Sequence, residues 1–273
     1  MITYKTLDGR LVKIKTQNKI PWIGTSWKMN KTRAEAREFA NILKASTVAS
    51  TSKVQPFVIP AFPYIAEVAD ILRNTHVKVG AQNMHWENQG AWTGEVSPLM
   101  LKDCGATVVE LGHSERRSYF NETDETVALK TKAAVQNGLI ALVCIGDTRT
   151  EYEQGHTAQA LEKQVRALLK YVSADVRGKV IIAYEPVWSI GEGGTPASPE
   201  FANEQQIRIA KLALEITGAT VPILYGGSVN KSNCVELAKQ LHIDGLFIGR
   251  AAWNAHDYIE LINLVLESTG VEK

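Results

Sequence analysis

Val180-Ile181-Ile182-Ala183-Tyr184-Glu185-Pro186-Val187-Trp188-Ser189-Ile190-Gly191-Glu192-Gly193-Gly194-Thr195 joins an apolar run to a glycine-rich loop. The run from Val180 to Ala183 reads as a strand buried on both faces, so Glu185 sits where a strand stops. The loop opens with Pro186, carries Val187 and Trp188, and closes with Gly191, Gly193 and Gly194. Such a composition suits a lid. It gives a stiff N-terminal hinge, an apolar tip, and glycine amides free to approach a ligand's phosphate. Alone, the same stretch is equally a Gly-rich surface loop with Glu185 as a solvated end residue. What the chain places around Glu185 decides between the two.

The pattern of a short β-rich run, a polar or Gly-rich loop and a helical stretch recurs from Pro21 onward. The runs are Trp22 to Gly24, Phe57 to Ile59, Val77 to Val79, Thr107 to Leu111, Ile140 to Cys144, Val180 to Tyr184, Val221 to Tyr225 and Gly245 to Ile248, eight in all. Amphipathic segments lie between them, among them Arg33 to Ala45, Glu125 to Asn137, Ala158 to Tyr171, Asn203 to Thr217 and Ser232 to Gln240. Asn137-Gly138 and Thr217-Gly218 read as helix stops. Strands alternating with helices imply a parallel sheet, and eight such units predict a closed α/β architecture, the (β/α)8 barrel. A doubly wound sheet is the competitor, but no G-x-G-x-x-G follows the first run. No shift in composition divides residues 21–273, which predicts one domain. Residues 1–20 stand apart. Ile2 to Lys5 and Leu11 to Ile14 alternate around Asp8-Gly9 as a hairpin would, and a disordered leader or an edge extension fits them equally.

Composition narrows the function. The 273 residues carry a net charge of +1, so no nucleic-acid or membrane-surface field is expected. Cys104, Cys144 and Cys234 are odd in number and form no C-x-x-C pair, which indicates neither a disulfide framework nor a structural zinc site. Met1 to Lys19 lack the apolar core of a signal peptide, and no run is long enough to span a membrane. A reducing cytoplasm is expected, with no metal and no cofactor.

In a barrel of parallel strands, residues at the strand C-termini converge on one face whatever their separation in sequence. Lys28 follows the first strand, His113 the fourth and Glu185 the sixth. Gly226-Gly227-Ser228 follow the seventh and Gly249-Arg250 the eighth, the position where such barrels bind phosphate. A cation, an imidazole, a carboxylate and a phosphate cradle around one cavity suit proton abstraction beside a carbonyl. Each member also has a plainer reading. Lys28 alone is a surface lysine and His113 a hydrogen-bonded core histidine. Glu115-Arg116-Arg117 is a surface ion-pair cluster or a buried network holding its loop, and Gly226-Gly227 a tight turn. Only the joint arrangement favours chemistry.

Seven segments in order then resemble the motifs of the triosephosphate isomerase family. They are Trp27 to Asn30, Gly80 to Asn83, Thr93 to Ser97, Leu111 to Arg117, Cys144 to Gly146, Tyr184 to Gly191 and Tyr225 to Val229. The resemblance covers residues 21 to about 266. It implies Glu185 as base, His113 as the electrophile polarising a carbonyl, and Lys28 as the cation that stabilises negative charge, with Glu115 supporting Lys28. That family is the standard instance of a glutamate base beside a neutral histidine, so these roles come through the resemblance. It also implies a phosphate held near Gly191, Ser228, Gly249 and Arg250, a lid from Pro186 to Gly194, and a homodimer in which Thr93 reaches the neighbouring subunit's site.

Four departures accompany these matches. Ser26 stands where the family has Asn before Trp-Lys-Met-Asn, and Gly249-Arg250 where it has Gly-Gly. The lid ends in Gly193-Gly194-Thr195-Pro196, and Asn83-Met84-His85-Trp86 is unusual. All lie at or near the expected active face, which implies the same chemistry on a related substrate. Gly24 to Lys31 and Gly249 to Trp253 resemble the bacterial tetrulose-phosphate isomerases of erythritol breakdown. Their implied reaction interconverts L-erythrulose 1-phosphate and D-erythrulose 4-phosphate. Ser26 would then bind substrate, opening space for the fourth carbon. An ordinary triosephosphate isomerase and a non-catalytic phosphate-binding barrel are the alternatives.

Overall fold

The structure, a computed structural model, describes residues 2–5, 11–14, 20–173, 178–191 and 193–268. Two short strands, β1 (Ile2–Lys5) and β2 (Leu11–Ile14), pair antiparallel with Ile2 opposite Ile14. Asp8 and Gly9, expected to turn between them, lie outside the described residues.

Eight parallel strands then close on themselves. They are β3 (Trp22–Ser26), β4 (Gln55–Ile59), β5 (Lys78–Ala81), β6 (Val108–Leu111), β7 (Ile140–Ile145), β8 (Val180–Tyr184), β9 (Ile223–Tyr225) and β10 (Gly245–Ile248). Each pairs with the next, and β10 returns to β3 with Gly245 opposite Trp22 and Ile248 opposite Thr25. This is the expected (β/α)8 barrel. The intervening helices are α1 (Arg33–Ala45), α2 (Ile65–Leu72), α3 (Pro98–Asp103), α4 (Ser114–Tyr119), α5 (Asp124–Gln136), α6 (Arg149–Glu153), α7 (Thr157–Leu169), α8 (Pro199–Thr217), α9 (Cys234–Ala238) and α10 (Ala255–Ser268).

Strand parity builds two cores. Phe57, Ile59, Val108, Leu142, Cys144, Ile181, Ala183, Leu224 and Phe247 fill the barrel, with Trp22 packed against them. Their neighbours Ile23, Val58, Val109, Val143, Ile182, Ile223 and Leu246 face the helices. Burial on both faces is why the strands read as continuous apolar runs. Gly24 faces inward because a Cβ there would lie 2.3 Å from the Phe57 ring.

Helices α8 and α9 differ most from expectation. Helix α8 starts at Pro199, not Asn203, because Ser198 caps it by accepting from the Phe201 amide and proline suits the first turn. Helix α9 is shorter than Ser232 to Gln240. Asn230 accepts from the Ser232 amide and Asn233 from the Asn230 amide, so side chains hold the preceding residues in a turn.

Candidate active site

The residue after β3, Trp27, is fully buried and packs edge-on against Phe39 at 4.9 Å. Lys28 then takes φ 52, a left-handed conformation that costs a residue with a Cβ about 1–2 kcal/mol. Two side chains hold it there. Gln82 Nε2 donates to the Lys28 carbonyl at 2.9 Å, and Asn30 Nδ2 donates to the Trp27 carbonyl at 2.9 Å. The Lys28 ammonium lines the cavity at the strand C-termini and meets Glu115 Oε1 at 2.7 Å.

After β6 the chain turns at Gly112, φ 69, and His113 caps α4. Its Nδ1 accepts the Glu115 amide at 3.1 Å. A nitrogen accepting a hydrogen bond carries no proton, so this imidazole is neutral with its hydrogen on Nε2. Nε2 lies 3.6 Å from Glu185 Oε1. The loop is held from behind. Arg117 Nε donates to the Gly112 carbonyl at 2.7 Å, and the Gly112 amide donates to Glu122 Oε2 at 3.2 Å. Buried Lys130 binds Glu122 and Asn83, and Arg116 also reaches Glu122. Burial alone would push the Glu122 carboxyl up, but Lys130 and Arg116 hold it below the usual range. The Glu115-Arg116-Arg117 cluster is therefore divided, with Glu115 at the cavity and both arginines in the supporting network.

Glu185 follows β8 directly, and its amide donates to the Ile145 carbonyl at 2.7 Å. Two glycines make room for it. A Cβ at Gly146 would lie 1.8 Å from the Glu185 carbonyl oxygen, and one at Gly226 would lie 2.8 Å from Glu185 Cγ. The side chain is 3% exposed, and Oε2 has no hydrogen-bond partner among the described residues. A buried polar atom left unpaired costs about 1–3 kcal/mol, so it calls for an explanation beyond packing.

The loop after β8 is anchored at its N-terminal end. Asp147, fully buried, accepts from Tyr184 OH at 3.0 Å, Trp188 Nε1 at 3.1 Å and Thr157 Oγ1 at 2.8 Å. Its carbonyl also takes the Val187 amide at 3.0 Å. Trp188 stacks on Tyr152 with centroids 4.2 Å apart, so the aromatic belongs to the anchor. Ser189 Oγ donates back to the Pro186 carbonyl at 2.8 Å. Gly191 and Gly193 have positive φ, and a Cβ on Gly194 would strike the Ser189 carbonyl at 2.5 Å.

One carboxyl at the site went unnoticed in the sequence. Glu110 has the inward parity of Val108 in β6, is 2% exposed, and accepts the Ser26 hydroxyl at 2.8 Å. Burial raises the Glu110 carboxyl to about 7, with the Glu185 charge adding to it and His113, the Ser26 bond and the Lys28 charge opposing it. The signal was a lone acid inside an otherwise apolar strand of a barrel, where both faces are covered. Beside it, the Cys144 thiol is raised well above its ordinary value by burial and then by Glu185 and Glu110.

A cavity of about 410 Å³ gathers Ser26, Lys28, His113, Glu115 and Glu185. Gly191, Ser228, Gly249 and Arg250 line it too. Arg250 begins a 3-10 turn capped by Gly249, the end of a turn at which amides lack intrahelical partners and attract anions. Thr93 is exposed on a projecting loop and does not line the cavity. Of the four departures, Asn83 to Trp86 and Gly193 to Pro196 do not line it either. Asn83 takes the Lys130 ammonium, and His85 stacks on Trp86 at 4.2 Å and packs at a tilt against Trp92 at 4.4 Å. Among the described residues no group of three or more His, Cys, Asp or Glu could hold a metal ion. The arrangement offers a carboxylate with a free oxygen, a neutral N–H donor and a cation around one small volume. That set can move a proton between adjacent carbons while stabilising the oxyanion.

The family model described as triosephosphate isomerase matches residues 21–265. An L-erythrulose-1-phosphate isomerase of Brucella abortus biovar 1 (strain 9-941) is 57% identical over 242 residues, 88% of this chain and 94% of that protein. Proteins of the same name from Rhizobium rhizogenes (strain K84 / ATCC BAA-868) and Rhizobium meliloti (strain 1021) are 55% and 51% identical. These cover 88% and 89% of this chain, and 93% and 96% of their own. This chain belongs to the triosephosphate isomerase family.

Proposed function

We propose that this chain interconverts L-erythrulose 1-phosphate and D-erythrulose 4-phosphate by proton transfer through an enediolate. The observation that carries this reading is the buried Glu185 carboxylate, whose Oε1 lies 3.6 Å from His113 Nε2 and whose Oε2 has no hydrogen-bond partner among the described residues. The name carried by relatives 51–57% identical supplies the substrate. Gly191, Ser228, Gly249 and Arg250 hold the phosphate. Glu185 takes the proton from the carbon that bears the hydroxymethyl group. The His113 Nε2 hydrogen and the Lys28 ammonium face the carbonyl oxygen, where negative charge develops. Preorganised donors stabilise that enediolate more than the neutral ketone, at roughly 2.7–4 kcal/mol for one donor. Glu185 returns the proton to the neighbouring carbon, and the hydroxyl proton crosses between the two oxygens through Nε2. The lid keeps water out and suppresses loss of phosphate from the intermediate.

The triose reaction uses the same groups on a substrate with hydrogen in place of the hydroxymethyl group, and the family description favours it as the second reading. Purified protein assayed side by side with glyceraldehyde 3-phosphate and both erythrulose phosphates separates the two. A higher kcat/KM on the erythrulose phosphates is expected. Turnover of the triose phosphate alone would overturn the proposal, and turnover of neither would favour a non-catalytic phosphate-binding barrel.

The same reading places the enzyme in erythritol catabolism in the cytoplasm, as a homodimer. Unpaired Cys104, Cys144 and Cys234 support a reducing compartment. No helix among the described residues is long and apolar enough to cross a membrane. Exposed Met29, Trp92, Leu99, Met100, Tyr119 and Phe120 support a partner subunit, with Thr93 reaching that subunit's cavity.

A further inference from the structure

The reaction as set out leaves Glu110 without a part. A carboxyl in a barrel interior is unfavourable unless something compensates it. Lys28, whose charge reaches Glu110, has its ammonium engaged by Glu115 at 2.7 Å. What Glu110 holds is Ser26, whose hydroxyl donates to Glu110 Oε2 at 2.8 Å, both residues being buried.

The two residues differ in one respect that matters. Ser26 lines the cavity and Glu110 does not. A serine hydroxyl has one hydrogen and two lone pairs. With that hydrogen directed to Glu110, Ser26 presents only lone pairs to the cavity, so this point of the wall is an acceptor. Its complement is a hydroxyl, and neither a carbonyl oxygen nor a C–H group satisfies it. The Ser26 backbone is fixed as well, because Trp253 Nε1 donates to its carbonyl at 2.9 Å and Lys31 Nζ ties the Trp253 carbonyl at 2.5 Å. Ser26 is the last residue of β3, has the inward parity of Trp22 and Gly24, and lines the cavity together with Lys28, His113 and Glu185. Glu110, which holds Ser26, feels the Glu185 charge, so the pair lies beside the group that acts on the reacting carbons.

We propose that Ser26 accepts a hydrogen bond from the substrate's terminal hydroxyl and that Glu110 is the positioning residue that turns Ser26 to do so. The pair is then the subsite that separates the four-carbon substrate from the three-carbon one, and it rests on the tetrulose-phosphate reading above. The triose substrate carries hydrogen at that end and leaves the acceptor unpaired. One such buried contact corresponds to roughly five- to 150-fold in selectivity.

The test compares L-erythrulose 1-phosphate with its 4-deoxy analogue, in which methyl replaces hydroxymethyl and only the hydroxyl is lost. Assays run at pH 8, above the Glu110 titration near 7. Wild type should prefer the hydroxylated substrate roughly five- to 150-fold in kcat/KM. In Ser26→Ala and Glu110→Leu that preference should fall to about twofold or less. The loss should appear in KM, since the hydroxyl takes no part in bond making. Glu110→Gln keeps an acceptor oxygen for Ser26 and should restore most of the preference. A proportional fall on both substrates, or a preference unchanged in Ser26→Ala, would overturn the subsite and leave the reaction standing. A wild type that turns over neither compound but isomerises the triose phosphate would instead remove the reading on which the subsite depends.

Discussion

At Glu185 the Oε2 atom has no hydrogen-bond partner among the described residues, so a shorter side chain breaks no bond at that oxygen. Glu185→Asp withdraws it by about one bond length, and a misplacement near 1 Å costs on the order of 100-fold. Steady-state kinetics should show kcat reduced by about that factor with KM changed little. An unchanged kcat would remove Glu185 from the mechanism. Glu110 gives a second prediction, through stability. Its carboxyl rises from an ordinary 4.5 to about 7 in the folded protein, so the folded state binds the proton more tightly than the unfolded chain. The stabilisation is complete below about pH 4.5 and is lost as the pH rises through 7, an effect on the order of 3 kcal/mol. Glutamine cannot ionise and escapes that loss. Urea unfolding from pH 5 to 8.5 should therefore show Glu110→Gln gaining on wild type as the pH rises. A difference that is flat with pH would mean that Glu110 titrates normally.

Among the elements, the strands were legible because a closed barrel buries both faces of each, which leaves runs such as Val180 to Tyr184 almost wholly apolar. The same continuity concealed Glu110, because a run read as one buried block hides the parity that aims each side chain. Glycine signals were legible where they end helices, as at Gly138 and Gly218, which have φ 85 and 69. They were less so at Gly146 and Gly226, whose purpose is space for a residue distant in sequence. In the loop after β8 Trp188 was visible, but its partner Asp147 lies 41 residues earlier and no local pattern joins them. That anchor makes a prediction. Trp188→Phe keeps a ring against Tyr152 and removes the bond from Nε1 to Asp147 Oδ2. About 1 kcal/mol of stability should be lost. A lid less well held should also let more intermediate eliminate phosphate, which inorganic phosphate released per isomerisation measures. Unchanged phosphate release would show that the Asp147 bond does not govern closure.

For the molecule as a whole, the alternation of eight runs with helices was enough to bring Lys28, His113 and Glu185 to one face, because parallel strands place all their C-termini together. What lies on the outside of that face depends on assembly, and a single chain's pattern of polar and apolar residues reports it only through what is left uncovered. Met29 is 96% exposed, Tyr119 76% and Phe120 66%, and Trp92, Leu99 and Met100 are half-exposed. All six follow the ends of β3, β5 and β6, three of four consecutive strands, so they lie on one side of the barrel. Exposed apolar residues gathered on one side of a fold are what an interface between subunits leaves uncovered in a single chain. Thr93 lies next to Trp92 on a loop stiffened by the His85 stack and by the Glu95 amide bound to the Trp92 carbonyl at 3.0 Å. A rigid projection costs little entropy to insert into a neighbour. Sedimentation equilibrium should therefore find a dimer. Thr93→Arg, which sets a charge at the tip of the insertion, should weaken it by roughly 30-fold or more, the effect of a residue central to an interface. Because Lys28 and His113 stand on the strands flanked by this surface, activity should fall with dilution along the same curve as the dimer. A monomer of full specific activity would contradict the assembly and return Met29, Tyr119 and Phe120 to being exposed apolar residues without a partner.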